Sequence, residues 1–237
     1  MKKLSIIIPT LNEEETIGKL LSSIPSDELR NMGYDIECLV VDGGSTDNTV
    51  QVAKKHGARV IIVRRRGYGL AYLIGFRYAR GDIIITGDAD GTYPFEKIPV
   101  FLILMKKYNV DFITTNRFFH YEKGAWTPVN FVGNKLLTLM HFILFKLRVK
   151  DSQSGMWCFK RSLLKCMRLS AWGMEFSSEI KIEGYRCAKR FIEIPITYGK
   201  RKYGKPKLKW LRDGLRIFIF LIKKKLLIVL RSVIRRS

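Results

Sequence analysis

With 237 residues, 47% of them hydrophobic and 12% aromatic, the chain is long enough for one well-filled core and too apolar to be a disordered polyelectrolyte. Its 43 Lys and Arg against 21 Asp and Glu give a formal net charge of +22, which excludes an acidic solvating protein and points to a polyanionic partner: nucleic acid, an anionic membrane or phosphorylated substrates. From Tyr198 to Ser237 there are 14 Lys or Arg and one acid, Asp213, so 13 of the net charges fall in the last 40 residues.

The predicted elements alternate along the first half. Leu4–Ile8 is a continuous apolar run that reads as a buried strand, and Pro9 ends it well short of a signal-peptide core. Glu13–Ile24 has helical spacing through Ile17, Leu20, Leu21 and Ile24, with acids in its first turn as the helix dipole favours. Ile36–Val41 reads as the next strand, Asp47–His56 as a helix and Arg59–Val63 as a strand. Leu70–Ala79 is a helix, Asp82–Thr86 a strand, Phe95–Lys107 a helix and Asp111–Thr115 a strand. This alternation predicts an α/β domain with a largely parallel central sheet.

Two later stretches are apolar but interrupted. Phe131–Leu147 contains Asn134, Lys135, His141 and Lys146, and Leu215–Ile234 is split by Lys223-Lys224-Lys225. Neither is an uninterrupted run of bilayer length, and both suit lying in a membrane interface with the apolar side down. The expected division is an α/β domain over residues 1–210 and a basic amphipathic membrane-interface tail over 211–237. Cys38, Cys158, Cys166 and Cys187 form no C-x-x-C pair and lie far in sequence from His56, His120 and His141. They are expected to be free thiols in a reducing compartment.

Polar clusters follow three of the strands: Pro9–Glu15, Asp42–Thr49 and Asp88–Pro94. Ligands of open α/β sheets bind at the carboxyl ends of the strands, so three polar loops there favour a nucleotide-type ligand. In Asp42-Gly43-Gly44-Ser45-Thr46-Asp47-Asn48-Thr49 the glycines suit a tight turn, and Ser45, Thr46 or Asp47 suits a helix cap. Asp42 itself is left over as a carboxylate able to accept hydrogen bonds from a base or ribose. In Gly87-Asp88-Ala89-Asp90, two carboxylates one residue apart would repel without a cation between them. Hard divalent ions with phosphate partners suit such ligands.

Taken together, Pro9-Thr10-Leu11-Asn12-Glu13, Asp42-Gly43-Gly44-Ser45-Thr46-Asp47, Asp88-Ala89-Asp90 and Asp151-Ser152-Gln153-Ser154-Gly155 stand in the order and spacing of the family 2 glycosyltransferases. The chain most resembles the dolichyl-phosphate mannose synthases and related polyprenyl-phosphate glycosyltransferases, over about residues 4–210. The resemblance implies a GT-A (Rossmann-like) fold, a nucleoside-diphosphate sugar donor, Mg²⁺ or Mn²⁺, and inversion at the anomeric carbon. It implies that Pro9, Leu11, Glu13, Val40 and Asp42 hold the nucleoside, and that Asp88 and Asp90, flanking Ala89, hold the metal and diphosphate. Arg117 matches a phosphate-binding arginine, and Arg201 and Lys207 match a basic pair in the stretch Arg201-Lys202-Tyr203-Gly204-Lys205-Pro206-Lys207-Leu208. Four departures stand out. Leu11 replaces a frequent Tyr, Thr92 a frequent metal-binding Gln, and Pro206 the usual Ser, while Lys135 stands where a second phosphate-binding arginine is common.

The expected reaction is an in-line displacement in which Arg117, Arg201 and Lys207 clamp phosphates. Asp151 is the candidate base for a hydroxyl acceptor, although a polyprenyl phosphate, already anionic, needs little such help, and Glu175 and Glu179 are candidates for the acceptor side. The basic end and the two interfacial stretches select a polyprenyl or dolichyl phosphate, met by an enzyme peripheral to the cytosolic face of a membrane. GDP-mannose is the first expectation as donor, with UDP-glucose and UDP-N-acetylhexosamines as alternatives. A transferase with a soluble glycan acceptor would share every donor residue. A nucleic-acid-binding protein is set aside, because Asp42, Asp88 and Asp90 on one sheet edge would repel phosphates.

Overall fold

The computed structural model describes residues 1–203 and 210–234. The apolar runs form strands β1 (Lys2–Thr10), β2 (Tyr34–Asp42), β3 (Arg59–Ile62), β4 (Ile83–Thr86), β5 (Phe112–Tyr121), β6 (Trp157–Lys160) and β7 (Phe191–Tyr198). They join in one seven-stranded sheet in the order β3-β2-β1-β4-β6-β5-β7. β6 is antiparallel to β4 and β5, and every other pair is parallel. The expected largely parallel sheet is therefore present, with one reversed strand.

Between the strands lie α1 (Glu14–Ser23), α2 (Ser26–Asn31), α3 (Thr49–Lys55), α4 (Tyr68–Tyr78), α5 (Ile98–Lys107), α6 (Pro128–Phe145), α7 (Phe176–Cys187) and α8 (Trp210–Ile234). Side chains of β1 alternate between two cores. Leu4, Ile6 and Ile8 face α1, α3 and α5, whereas Ile7 joins α4 and α7 on the other side. Both faces of the sheet are covered, which explains why its central strands read as unbroken apolar runs.

Some boundaries differ from the sequence reading for local reasons. α3 begins at Thr49 rather than Asp47, because Asp47 Oδ1 accepts the Thr49 N–H at 3.0 Å and so stands outside the helix. β5 continues to Tyr121, because β7 runs parallel beside it past an irregularity between Asn116 and His120. The cysteine expectation is overturned for one pair: Cys166 and Cys187 form a disulfide that ties the segment after β6 to the end of α7, while Cys38 and Cys158 are free. The two partners lie 21 residues apart in sequence and are brought together only by the return of α7.

The two interrupted stretches are helices with one docked and one bare side. α6 starts earlier than expected, at Pro128, where Thr127 caps it by accepting the Asn130 N–H at 3.2 Å. By length and composition it is apolar enough to cross a membrane, and its 18 residues rise about 27 Å. Val132, Leu136, Leu139 and Ile143 on it are exposed. α8 does not hang free as a tail: its Ile217 and Leu221 are buried against Leu147 and Ile182. Leu226, Leu227, Leu230 and Val233 on its outer side are exposed.

Candidate active site

The loops after β1 and β2 are stapled together. Asn12, at φ 52°, accepts the Thr46 N–H through Oδ1 at 2.9 Å, and its own N–H donates to Ser45 Oγ at 2.8 Å. The Glu13 N–H donates to Thr49 Oγ1 at 2.8 Å. Asp42 organises the second loop: its Oδ1 accepts the N–H groups of Gly44 and Ser45 at 3.0 and 2.8 Å, and its Oδ2 accepts the hydroxyls of Ser45 and Thr10 at 2.5 and 3.2 Å. Gly44 turns the chain at φ 85°, a conformation few other residues adopt.

Asp42 is thereby only 1% exposed and engaged by its own turn. The side chain of Val40 is wholly buried in the core between the sheet and α1.

The loop after β4 brings two carboxylates to the same edge. Asp88 accepts the Tyr72 hydroxyl at 3.3 Å, and Gly155 passes so close that a Cβ there would stand 3.2 Å from Asp88. Burial, reinforced by the Asp90 charge, pushes the Asp88 carboxyl up to about 7. Asp90 accepts the Thr92 hydroxyl at 2.7 Å on Oδ1 and Arg201 Nη2 at 2.8 Å on Oδ2. Arg201 also reaches Glu13 Oε1 at 3.5 Å, tying the segment after β7 to the first loop. Thr92 thus serves Asp90 rather than offering its hydroxyl as a further ligand. Lys207 and Pro206 lie outside the described residues.

Two carboxylates of this kind fit Mg²⁺ or Mn²⁺, which take one or two protein carboxylates and complete their shell with substrate phosphates and water. Asp88 and Asp90 are the residues that would hold the ion. Among the described residues, no group of three or more His, Cys, Asp or Glu forms a metal cage without substrate.

Arg117, at the end of β5, is fixed by Asp151. Its Nε and Nη2 donate to Asp151 Oδ2 and Oδ1 at 2.7 and 2.9 Å, and its backbone N–H donates to Oδ2 at 3.1 Å. The guanidinium lies against the rings of Trp126 and Tyr198, 4.9 and 5.2 Å from their centres, and the two rings also touch each other. Asn134 Nδ2 and the Gln153 N–H also donate to Asp151 Oδ1, at 3.2 and 3.1 Å.

Although burial alone would raise it, the charge and hydrogen bonds of Arg117 hold the Asp151 carboxyl well below the usual range. A wholly buried, permanently ionised group with five donors is an anchor for Arg117, so the expectation of a general base at Asp151 is corrected. The acceptor-side expectation fails for Glu179 as well. It is fully buried, paired with Lys224, and accepts the N–H groups of Ser170 and Ala171. Glu175 turns back to accept the Gly173 N–H, and Lys135 folds over the Phe118 ring at 3.9 Å.

These loops frame one cavity of about 1080 Å³. Pro9, Leu11, Glu13, Asp88, Ala89, Asp90, Arg117 and Arg201, all expected at the site, line it. The opposite end is apolar, walled by Val129, Val132, Leu136 and Leu137 of α6 and by Leu215, Ile217 and Phe218 of α8. Tyr68, Trp126 and Tyr198 also line it and were not anticipated. Tyr68 could have been found, since it opens a helix just beyond the carboxyl end of β3, on the binding edge.

Comparison with known proteins agrees with this arrangement. The sequence profile of the family described as Glycosyl transferase family 2 matches residues 5–168. The chain is 37% identical over 221 residues to the low-salt glycan biosynthesis hexosyltransferase Agl6 of Haloferax volcanii, covering 92% of this chain and 53% of the relative. It is 31% identical to a dolichyl-phosphate hexose transferase of the same organism, over 84% of this chain and 83% of that one. It is 32% identical to the dolichol-phosphate mannosyltransferase of Pyrococcus furiosus, over 87% of this chain and 59% of the relative. The chain therefore spans little more than half the length of two of these relatives.

In fold it superposes on glucosyl-3-phosphoglycerate synthase of Mycobacterium tuberculosis in complex with Mn²⁺ and UDP-glucose, with a TM-score of 0.69, 24% identity, and coverage of 94% of this chain and 79% of that one. The complex of that synthase with UDP gives 0.71 at 22% identity, over 94% and 80%. The fold is accordingly GT-A. Since the profile spans the strands and loops that build the cavity's polar end, and full-length similarity carries the likeness onward, the chain belongs to glycosyl transferase family 2.

Proposed function

We propose that the chain transfers a hexosyl unit, with inversion, from a nucleoside-diphosphate sugar to a polyprenyl or dolichyl phosphate at the cytosolic face of a membrane. The observation that carries this reading is the two-ended cavity: carboxylates and arginines at the sheet edge, apolar helix walls at the other end. The bare outer sides of those helices, together with the cations of α8, suit an anionic bilayer surface. The names of the relatives support a hexose donor and a dolichyl-phosphate acceptor.

In the reaction, an acceptor phosphate oxygen bonds to the anomeric carbon. The bond from that carbon to the diphosphate breaks, and its electron pair leaves with the nucleoside diphosphate. A phosphate acceptor is already anionic, which accords with the lack of proton-accepting capacity at Asp151. When bound, the divalent ion offsets charge growing on the leaving diphosphate.

Pro9, Leu11 and Glu13 border the nucleoside end. Arg117 has spent Nε and Nη2 on Asp151, and its Nη1 makes no hydrogen bond among the described residues, leaving a pre-aimed cation for a phosphate oxygen. Arg201, which pairs with Asp90 and Glu13, is the second arginine that would meet phosphate, and Asp88 and Asp90 are the residues that would hold the ion. Lys207 is assigned to phosphate by its motif position alone.

The test offers radiolabelled GDP-mannose, UDP-glucose and UDP-N-acetylhexosamines in turn with a short polyprenyl phosphate, with and without Mg²⁺ or Mn²⁺. One donor should give metal-dependent, solvent-extractable label. Label passing only to water-soluble acceptors would overturn the lipid assignment.

A further inference from the structure

The cavity's apolar end is made partly by α8, and α8 is held to the body by a side chain that never touches the cavity. Lys224 sits between Lys223 and Lys225, yet it is only 6% exposed. Its ammonium lies 2.9 Å from Glu179 Oε1, 2.9 Å from Glu183 Oε1 and 2.8 Å from the Arg168 carbonyl, which uses all three of its donors. Both carboxylates belong to α7 and are almost wholly buried.

Glu179 is further engaged by Ser170 and Ala171, at 2.7 and 2.8 Å from their N–H groups to Oε2, and Glu183 accepts the Arg168 N–H at 3.2 Å. The carboxylates that receive Lys224 are therefore also held by contacts that do not involve α8. Ile217, Leu221 and Lys224 recur at helical spacing on one side of α8, so the apolar contacts and the ion cluster act along a single seam.

Apolar contacts on a helix tolerate sliding and rotation; a paired buried charge does not. In the observed register Lys223 and Lys225 project about 100° to either side of Lys224 and stand outside the cluster. Shifting α8 by a full turn would set Leu221 or Ile228 against two buried carboxylates. Replacement of buried ion clusters by apolar groups is often neutral for stability, and a fixed register is the best-attested role of such clusters.

We propose that Lys224 is a positioning residue that sets the register of α8 and, through it, where Leu215, Ile217 and Phe218 stand in the acceptor wall. The inference rests on the reading that this wall receives the acceptor lipid. Lys224 lies seven residues from Ile217, about 10 Å along the helix, and so acts only through placement.

The experiment uses the full chain in lipid vesicles with a short polyprenyl phosphate. Lys224→Met should raise the acceptor KM about tenfold or more, as misplacement by an ångström does in positioned sites. Affinity for nucleoside diphosphate with Mn²⁺ should stay within about twofold of wild type, since the donor end lies on other elements. Lys224→Arg, which can still bridge two carboxylates, should restore most of the acceptor KM.

Leu29→Ala, in the core far from the cavity, provides a control for stability loss that should leave the acceptor KM alone. If Lys224→Met proves too unstable, Glu183→Gln keeps the cation and Glu179 and should give an intermediate KM. An acceptor KM unchanged in a folded Lys224→Met, or one that moves in step with donor affinity, overturns the inference. Hydrogen exchange over 214–221 decides it without any acceptor: unchanged protection in Lys224→Met also overturns it. Faster exchange there, with no transfer to polyprenyl phosphate by the wild type, would refute the acceptor reading and leave the register role standing.

Discussion

Asp151→Ala should be among the most destabilising single changes in this chain. The substitution strips a buried guanidinium of the only carboxylate paired with it among the described residues: Arg117 is 8% exposed, Asp151 is fully buried, and the fork between them is closed at 2.7 and 2.9 Å. Breaking a buried pair by removing one partner typically costs about 3–5 kcal/mol, because the surviving charge is left without compensation. Asn134 and the Gln153 N–H lose their acceptor in the same stroke. For a domain of this size each kcal/mol lowers the melting temperature by roughly 2–4 °C, so a fall of about 10 °C is expected by calorimetry.

The double variant Arg117→Met/Asp151→Ala should lose less than the sum of the two single changes, by about 1–3 kcal/mol, since neither charge remains stranded. Acid titration gives an independent reading. The folded carboxyl lies below its unfolded value, so its contribution is complete above about pH 4 and is lost as pH falls through the folded value. The stability gap between wild type and the double variant should therefore narrow below about pH 4. A loss under about 1 kcal/mol for Asp151→Ala, or strict additivity in the cycle, would refute the anchoring argument.

Asp90→Ala should abolish transfer while leaving the fold within about 1 kcal/mol of wild type, because the partly exposed Arg201 can turn to water or Glu13; near-normal turnover would sink the metal assignment. Leu226→Glu with Leu230→Glu, both on the bare side of α8, should weaken co-sedimentation with anionic vesicles without altering the melting temperature, and unchanged sedimentation would remove α8 from the membrane contact. Cys166→Ser opens a link closing 21 residues and should cost about 3 kcal/mol in denaturant titration, whereas an unaltered midpoint would show that the link adds nothing.

The sheet and its binding edge were legible because both leave one-dimensional traces. Leu4–Ile8 and Ile83–Thr86 are buried on two faces and read as unbroken apolar runs. Asp88 and Asp90 follow a strand directly, so their placement needs only the strand to be right. The roles of Asp42, Asp151 and Glu179 were not legible, because each depends on partners far along the chain or on a turn whose geometry appears only in three dimensions. Arg117 lies 34 residues before Asp151, and Lys224 lies 45 after Glu179. The Cys166–Cys187 link failed to show for the same reason: nothing in the local sequence says that α7 returns to the segment after β6. Charge type is written in the sequence, but charge pairing is a property of the fold.

That distinction explains what the cavity is prepared to receive. Asp151 is paired with Arg117, Asp90 with Arg201, and Glu179 and Glu183 with Lys224 and Arg186. Asp88 alone among these carboxylates has no ion-pair partner within 4.0 Å among the described residues, and its affinity for a proton rises to about 7. A bare anion entering would find Arg201 already engaged, and a bare cation would have to compete with that same arginine for Asp90. On the proposed reading a cation and a diphosphate arriving together would meet neither obstacle, with Asp88 and Asp90 as the residues that would hold the ion and Arg117 and Arg201 those that would meet the phosphates. The +22 charge of the chain therefore does not describe the lining of this cavity, where Glu13, Asp88 and Asp90 stand against Arg117 and Arg201.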